Sequence, residues 1–326
     1  MSLKLKKWVA IINPNAGKVA VQSEWIHIQQ AFAKYGVVAV FVFTEEAGQA
    51  IPMTKELIRE GYRNIAVIGG DGTLNEVVNG VMLSNVDPQE VTLAVIPNGT
   101  GNDWARHWGI DIENYENAVS LLVNGDVCSI DIGKCTYMIE GRPGERYFLN
   151  TAGMGFEVRV LQKTDKVKRM LKGHSRIYGL SVLYNALFTR SHNMTLAYNG
   201  HTVTKKIFSF NVGNGRYSGG GFAQNPMASA TDGSLDVMIM SELSFKKAFL
   251  GIRYLFTSRL LKHPSVKNIR TEKLVVSAAE KPYVEVDGVV IPSSCPVTFS
   301  VASRVLNFVV PQNSVKNKTQ AHYDKH

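Results

Sequence analysis

The chain has few cysteines, and their spacing fits neither a zinc site nor a disulfide framework. The 326 residues include three cysteines, an odd number, and no two of them have CxxC spacing. They are Cys128, Cys135 and Cys295. This pattern favours structural thiols in a reducing compartment.

Long apolar segments are also missing. No run approaches the ~18 residues that a membrane-spanning helix needs, and the apolar stretch at 8–12 is too short for a secretory signal. Hydrophobic residues make up 45% of the chain and charged residues 19%, which is typical of a globular protein. We therefore expect a cytoplasmic protein.

The usual nucleotide-binding patterns are absent as well. The sequence contains no Walker A pattern GxxxxGK[ST] and no clean GxGxxG after its first strand-like segment, which weakens the P-loop and dinucleotide interpretations. The net charge of +9 favours an anionic partner or serves solubility alone. The basic residues are dispersed and no recognition motif appears, so a nucleic-acid partner is not expected.

Strand-like and helix-like patterns alternate over the first 130 residues. Since 326 residues are too many for one ordinary core, we expect two domains. Apolar runs at 8–12, 37–43, 64–69 and 91–97 predict buried strands, and the segments between them have helical periodicity. This alternation predicts an α/β domain with an open parallel sheet over residues 1–131.

The pattern changes beyond residue 131. Short alternating strands separated by turns rich in Gly and Asn predict a β-rich, mainly antiparallel domain over 132–300. Two helical inserts are expected near 156–190 and 244–261. Residues 313–326 are polar and without pattern, and we expect a disordered tail there.

Four turns that follow the predicted parallel strands carry unusual residues. They read "NPNAGK" (13–18), "TEEAG" (44–48), "GGDGT" (69–73) and "PNGTGND" (97–103). The carboxyl ends of parallel strands meet at one edge of a sheet, where ligands bind. Glycines there let backbone N–H groups approach a bulky anion. One such turn alone would be an ordinary βα connection, but four at one edge predict a binding site.

Two of these turns end in the helix-start pattern Ser/Thr-x-x-acid, namely Thr73 to Glu76 and Thr100 to Asp103. Helix N-termini attract phosphate. Asp71 would repel phosphate unless a cation lay between them, so we expect a nucleotide triphosphate with Mg²⁺.

At this point the residues resemble a known family. "NPNAG", "GGDGTLNEVVNG" and "PNGTGNDWAR", in this order, are similar to the diacylglycerol kinase catalytic-domain superfamily, which includes bacterial soluble lipid kinases and the sphingosine and ceramide kinases. The NAD kinases are more distant relatives. The resemblance continues through "LNTAGMGFEVRV" (149–160), "VGNGRYSGGGFAQNPMASATDGSLDV" (212–237) and "VEVDG" (284–288), and so covers nearly the whole chain.

The resemblance implies ATP in the first domain and a lipid headgroup in the second, meeting in a cleft between them. It also implies that residues of about 300–312 return to the first domain. With the turns above, it predicts the following nucleotide-binding residues: Asn13, Pro14, Asn15, Ala16, Gly17, Thr44, Gly69, Gly70, Asp71, Gly72, Thr73, Leu74, Asn75, Glu76, Thr100, Asn102 and Asp103.

The family's bacterial members carry a structural Mg²⁺ at a "DG.L" motif. Carried over, its ligands here would be the Asp232 side chain, with Ser229 and Ser234 nearby through their carbonyls. The alternative is an ordinary hairpin turn at "TDGS", and it stays open.

One departure from the family concerns the proton acceptor. The family usually reads Asp-Gly-Glu, with these acids serving as the base, but this chain has Asp287, Gly288 and Val289. Asp287 is the expected base and Asp71 the second candidate. The leading hypothesis is thus an ATP- and Mg²⁺-dependent lipid kinase acting on diacylglycerol or a related lipid. A small-molecule kinase of the NAD kinase type and a non-catalytic nucleotide- or lipid-binding protein are the alternatives.

A lipid kinase must reach a membrane surface. Residues 244–267 place apolar side chains on one helical stripe between cations. Packing on the β domain is the favoured explanation for this stripe, and a second basic segment, 163–188, is the better candidate for peripheral membrane contact. The stripe consists of Phe245, Phe249, Ile252, Leu255 and Phe256, flanked by Lys246, Lys247, Arg253, Arg259 and Lys262. The sequence leaves a homodimer open.

Overall fold

The computed structural model describes residues 7–17, 21–155, 191–242, 245–278 and 283–314. Contacts within the chain divide it into two units. The first is discontinuous in sequence and takes residues 1–132 and 303–326, whereas the second takes 133–302. The expected helical insert at 156–190, the basic segment 163–188 and nearly all of the expected tail lie outside the described residues.

The first unit is an α/β structure. Its parallel strands lie in the order β2-β1-β3-β4, and the end of a later strand, β15, pairs with β4 in parallel through Asn307 and Phe308. The strands are β1 (Trp8–Ile12), β2 (Ala39–Phe43), β3 (Asn64–Gly69) and β4 (Thr92–Pro97). The helices are α1 (Val21–Lys34), α2 (Ala50–Arg59), α3 (Asp71–Met82), α4 (Asp103–Trp108) and α5 (Tyr115–Asn124).

The predicted burial of the strands is confirmed for β1 and β3 and is wrong for the segment 37–43. Every residue of β1 is buried, as the continuous apolar run predicts. The run at 37–43 forms β2, which pairs with β1 alone and leaves Val40 and Phe43 39% and 45% exposed. An edge strand with one covered face can carry the same apolar run as a central strand, so composition did not distinguish them.

The second unit is mainly antiparallel. Its strands follow the order β14-β13-β7-β9-β8-β12-β15, while β10 pairs with β9 and β11. They are β5 (Asp126–Ile139), β6 (Arg142–Phe148), β7 (Thr151–Gly155), β8 (His192–Tyr198), β9 (His201–Gly213), β10 (Leu235–Ser241), β11 (Val266–Thr271), β12 (Lys273–Ala278), β13 (Tyr283–Val286), β14 (Val289–Pro292) and β15 (Ser294–Val310). Strands β5 and β15 continue across the boundary between the units. The predicted fold class is confirmed.

The second unit has its own apolar core, which the inward faces of these strands build. Phe148, Phe210 and Phe299 are almost fully buried in it, and the last two meet edge to face at 5.8 Å. Burial raises the pKa of the Cys135 thiol, which lies in the same core. None of the three cysteines forms a disulfide bond.

One further helix, α6 (Phe245–Phe256), is followed by a short 3-10 turn at Leu260–Lys262. The His263 ring joins the two, because one ring nitrogen lies 3.0 Å from the Lys247 carbonyl and the other accepts the Ser265 N–H at 3.1 Å. Among the helices that the structure describes, none is long and apolar enough to cross a membrane.

Candidate active site

A cleft of about 520 Å³ lies at the carboxyl ends of β1, β2, β3 and β4. The four unusual turns of the sequence meet there, as expected for parallel strands. Its lining consists of Asn13, Asn15, Ala16, Gly17, Thr44, Glu45, Glu46, Ala47, Gly70, Asp71, Gly72, Thr73, Glu76, Gly99, Thr100 and Gly101.

Several residues predicted for this site do not line the cleft. Leu74 and Asn75 are each 1% exposed within α3, and Asn102 closes its own turn by bonding to Gly99 through both side-chain atoms. Pro14, Gly69 and Asp103 are likewise absent from the lining.

Conversely, Glu45, Glu46, Ala47, Gly99 and Gly101 line the cleft although they were not predicted. They belong to the same turns, "TEEAG" and "PNGTGND", so taking each turn as a whole would have found them.

The turn "GGDGT" runs into a helix N-terminus as predicted, but Thr73 does not start the helix. Helix α3 begins two residues earlier, at Asp71, after Gly70 in an extended conformation and with no side-chain cap. The Thr73 hydroxyl instead accepts a hydrogen bond from the Asn13 side chain at 3.1 Å. This bond connects the turn "GGDGT" to the turn "NPNAGK". The Glu76 carboxylate accepts the N–H groups of Gly48 (2.8 Å) and Ala50 (3.2 Å), so it caps α2 rather than its own helix.

The turn "PNGTGND" also runs into a helix N-terminus as predicted, but Thr100 does not start the helix. Helix α4 begins at Asp103, after Asn102 in a left-handed conformation. The Asp71 carboxylate accepts the N–H groups of Asp103 and Trp104, both at 3.0 Å. Asp71 therefore caps α4 across the two glycine-rich turns.

These caps decide which helix can receive an anion. Carboxylates from α3 already satisfy N–H groups at the starts of α2 and α4. The first turn of α3 has no side-chain cap, and Asp71, Gly72 and Thr73 line the cleft. The free N–H groups and the positive end of the helix dipole make this turn the anion position of the cleft.

The glycines of the cleft have two different roles. A Cβ on Gly70 would lie 2.9 Å from the Cα of Gly99, and a Cβ on Gly99 would collide with the backbone of Gly70. These two glycines therefore let the neighbouring turns touch. A Cβ on Gly72 would meet no atom within 4 Å. Its place in the first turn of α3 leaves the backbone open towards the cleft.

Tyr115 of α5 supports the turn "NPNAGK" (13–18) through Asn98. The Tyr115 hydroxyl donates to the Asn98 side-chain oxygen at 3.0 Å, and the Asn98 side-chain nitrogen donates to the Ala16 carbonyl at 3.3 Å. Burial, with a smaller contribution from the charge of Glu24, raises the pKa of Tyr115. This residue was not singled out in the sequence because its role depends on a contact far along the chain.

The charge of the cleft is negative. Glu45, Glu46, Asp71 and Glu76 line it, and none of the described lining residues is Lys or Arg. Within the described part of the chain, no group of three or more His, Cys, Asp or Glu side chains could hold a metal ion.

The predicted base Asp287 lies in the second unit, in the tight turn between β13 and β14, with a φ of +44°. Its carboxylate accepts the N–H groups of Leu149 (2.7 Å), Asn150 (3.0 Å) and Thr151 (2.9 Å). The Asp287 N–H in turn donates to the Thr151 carbonyl at 2.9 Å. The carboxylate is thus fixed in position by the 149–151 backbone.

Two neighbours of Asp287 differ in burial. Val289, which stands where the family has glutamate, is 38% exposed. Glu285 is 5% exposed and accepts a hydrogen bond from the Gly288 N–H. The alternation of "VEVDG" could have drawn attention to Glu285, because a charged residue stands between two buried valines.

The residues predicted to hold a structural Mg²⁺ lie in one turn, but their contacts do not fit a divalent cation. One Asp232 oxygen accepts the Ser234 N–H at 3.1 Å, and the other lies 2.6 Å from the Arg270 guanidinium. The Ser229 hydroxyl is 3.2 Å from that of Thr231. The positive charge of Arg270 therefore already lies against one of the two Asp232 oxygens.

Comparisons with known proteins match both parts of the chain to family models. Residues 7–135 match the model of the diacylglycerol kinase catalytic domain, and residues 150–310 match that of the YegS C-terminal NAD kinase beta sandwich-like domain. These matches define the class of protein as a kinase with a diacylglycerol kinase catalytic domain followed by an NAD kinase beta sandwich-like domain.

Proteins with similar sequences define the class more closely. The "Diacylglycerol kinase" of Bacillus subtilis (strain 168) is 29% identical over 290 residues, 87% of this chain and 90% of the relative. The "Probable lipid kinase YegS-like" of Yersinia pestis (strain Pestoides F) is 31% identical over 212 residues, 64% of this chain and 67% of the relative. The chain belongs to the family of diacylglycerol kinases and YegS-like lipid kinases, so the predicted family and enzyme class are confirmed.

Solved structures support the same fold. A diacylglycerol kinase from Bacillus anthracis str. Sterne has a TM-score of 0.71 at 21% identity and covers 96% of this chain and all of its own. The yeast NADH kinase complexed with NADH has a TM-score of 0.53 at 10% identity, with 98% of this chain and 87% of its own covered.

Proposed function

We propose that the protein is an ATP- and Mg²⁺-dependent lipid kinase that phosphorylates diacylglycerol or a related glycerol or sphingoid lipid. The observation that carries the proposal is the first turn of α3, which has no side-chain cap. This turn lines the cleft at the ends of four strands, and Gly72 leaves its backbone open. A helix N-terminus of this kind binds phosphate groups. The family membership supplies the reaction class.

The acidic lining supports a metal–nucleotide rather than a free nucleotide. A triphosphate in the cleft would face Glu45, Glu46 and Asp71 without a compensating lysine or arginine among the described lining residues. Mg²⁺ bound to the phosphate oxygens would supply the missing positive charge. Because the described residues form no preassembled metal cluster, we propose that the cation enters with ATP.

The reaction needs an acceptor for one proton. The lipid oxygen forms a bond to the γ-phosphorus, the bond from that phosphorus to the β,γ-bridging oxygen breaks, and ADP leaves while the hydroxyl proton passes to a base. We propose Asp287 as this base and Asp71 as the second candidate. Both carboxylates are held by backbone N–H groups, which fixes their direction.

A lipid-labelling assay tests the proposal. Purified protein with radiolabelled ATP and mixed vesicles of diacylglycerol, phosphatidylglycerol and sphingoid bases should yield labelled lipid, with loss of label in EDTA. Asp287→Asn should lower kcat by roughly 10²–10⁴ and leave ATP binding intact. Glu60→Gln, an exposed carboxylate at the end of α2, is the matched control.

Other outcomes would favour the alternatives. Phosphorylation of NAD in solution without labelled lipid would contradict the proposed substrate class. ATP binding by calorimetry with no turnover would contradict catalysis, and recovery of turnover in Val289→Glu would then assign the loss to the missing glutamate.

We also propose that the protein touches an anionic lipid surface with residues around the 3-10 turn after α6. Residues 243–267 contain no Asp or Glu, and Lys247, Arg253, Arg259 and Lys262 are exposed. Leu261 is 38% exposed between two of these cations. An exposed apolar side chain edged by cations suits an anionic interface. Of the stripe predicted on this helix, only the Leu255 side chain is among those described, and it is half-buried.

Vesicle sedimentation without ATP tests this surface. The protein should sediment with anionic vesicles and not with zwitterionic ones, and the double variant Arg259→Gln, Lys262→Gln should weaken sedimentation at least about threefold. Lys55→Gln, an exposed lysine of α2, is the control. Equal sedimentation of the double variant and the control would contradict this contact without affecting the proposed reaction.

A further inference from the structure

Two carboxylates, one in the turn that leads into β10 and one on β10 itself, lie near the same cation. Asp232 lies in the turn and Asp236 on β10, where it stands directly opposite Arg270 of β11. The Arg270 guanidinium is 2.6 Å from an Asp232 oxygen and 3.9 Å from an Asp236 oxygen. Side chains directly opposite on antiparallel strands lie on the same face, so the strand register brings the guanidinium to Asp236. Its contact with Asp232 is made from there by the side chain.

The burial of Asp236 makes a cation at this position necessary. Its side chain is 1% exposed, whereas those of Asp232 and Arg270 are 28% and 41% exposed. The Asn268 side chain donates to one Asp236 oxygen at 3.2 Å. A buried carboxylate needs paired positive charge as well as hydrogen bonds, and a guanidinium has a fork of donors that can serve two acids at once.

The same contacts disfavour a metal. Mg²⁺ takes oxygen ligands in near-octahedral geometry and repels other cations. Both Asp232 oxygens already face nitrogen donors, the Ser234 N–H and the Arg270 guanidinium. A dication bound to Asp232 would lie beside the guanidinium, and the described residues offer no cluster of acids to compensate.

We infer that Arg270 takes the place of a structural divalent cation at the Asp232 turn, so that the second unit keeps this turn folded without metal. The family resemblance implies a metal at "DG.L". In this chain a side chain fixed by strand register supplies the positive charge instead. The inference is independent of the proposed reaction, whose Mg²⁺ enters with ATP.

Thermal unfolding without nucleotide tests the inference. The wild-type Tm should change by less than about 1 °C between EDTA and excess Mg²⁺. Arg270→Gln should lower the Tm in EDTA by about 2–4 °C or more, and Mg²⁺ or Ca²⁺ should restore part of the loss, because the substitution removes the guanidinium charge beside both acids. Arg259→Gln removes an exposed arginine for which the described residues show no ion pair, and it should show neither effect.

Direct metal binding provides a second measurement if Arg270→Gln does not fold. Electron paramagnetic resonance measures Mn²⁺ binding without nucleotide. The wild type and Asp232→Asn should bind Mn²⁺ equally, because the wild type should have no tight site that depends on Asp232. A wild-type Tm that falls in EDTA and recovers with Mg²⁺, or a Mn²⁺ site abolished by Asp232→Asn but not by Asp71→Asn, would overturn the inference.

Discussion

Gly72 and Gly99 both lie in the cleft, but the molecule needs glycine at these positions for different reasons. At Gly99 a side chain would collide with the Gly70 backbone, so the requirement belongs to the packing of two turns. At Gly72 there is open space, so no packing contact requires glycine at this position. The proposed approach of a phosphate to the backbone gives a reason for glycine there.

Gly72→Ala should separate folding from ligand binding. We expect the free energy of unfolding to stay the same or rise by about 0.5–1 kcal/mol, while the Kd for Mg-ATP rises at least about tenfold because the new methyl group occupies the phosphate position. Urea denaturation and calorimetry measure the two quantities.

Gly251→Ala is the matched control for this variant. Gly251 lies within α6, and a Cβ there would contact His263 at 3.8 Å, an ordinary van der Waals distance. This control should gain the same stability without losing ATP affinity. Unchanged ATP affinity in Gly72→Ala would contradict the assignment of phosphate to the first turn of α3.

At the scale of elements, α3 organises the cleft through its acidic side chains. Asp71 caps α4 and Glu76 caps α2, so the first two turns of one helix hold the starts of two others. The exchange leaves α3 without a cap of its own. Because the residue before α3 is Gly70, which has no side chain, the first turn of α3 stays open towards the cleft.

Glu76→Ala should destabilise the first unit by about 1 kcal/mol, with a range of roughly 0.5–2, because Gly48 and Ala50 lose their acceptor at the start of α2. The free energy of unfolding from urea titration measures this loss. Glu60→Ala, at the exposed end of the same helix, should change stability by less than about 0.5 kcal/mol. Equal effects of the two substitutions would show that the Glu76 hydrogen bonds contribute nothing to stability.

The element order was predictable from the sequence, and the local caps were not. Periodicity and the rule for parallel strands were enough to bring the four turns together, because both depend on residues close in sequence. The pattern Thr-x-x-Glu located a helix start to within two residues but assigned the Glu76 carboxylate to the wrong helix. Sequence spacing contains no information about which neighbouring backbone a long side chain reaches. The edge position of β2 was missed for the same reason, since it is a property of the sheet.

At the scale of the whole molecule, the family resemblance predicted the class of enzyme and the two-domain fold. It did not predict which side chains form ion pairs between residues far apart in sequence. Arg270 and Asp232 are 38 residues apart, and neither residue alone distinguishes a metal ligand from an ion-pair partner. The assignment of ATP to the first unit and lipid to the second stays a prediction, as does the role of Asp287.

The first unit is discontinuous in sequence, and the nucleotide binding that we propose for its cleft should depend on residues 303–310. Phe308 is fully buried and meets the Trp104 ring edge to face at 5.7 Å, and Val310 is also fully buried. The Asp131 carboxylate, 0% exposed, accepts hydrogen bonds from the Ser303 hydroxyl (3.1 Å) and the Arg304 N–H (2.7 Å). Residues from the end of the chain therefore complete a unit whose cleft residues all precede residue 102.

A protein that ends at residue 302 should lose Mg-ATP binding although it contains every cleft residue. The truncation removes the β15 residues that pair with β4 and leaves the buried Asp131 carboxylate without these two donors, a change expected to cost several kcal/mol. Calorimetry and thermal unfolding should show no ATP binding and a broadened or missing transition. A protein that ends at residue 314 keeps all of β15 and should bind ATP like the full chain. The single variant Phe308→Ala should lower the free energy of unfolding by about 3–5 kcal/mol. Full ATP affinity in the protein that ends at residue 302 would contradict a role of the end of β15 in the proposed nucleotide-binding unit.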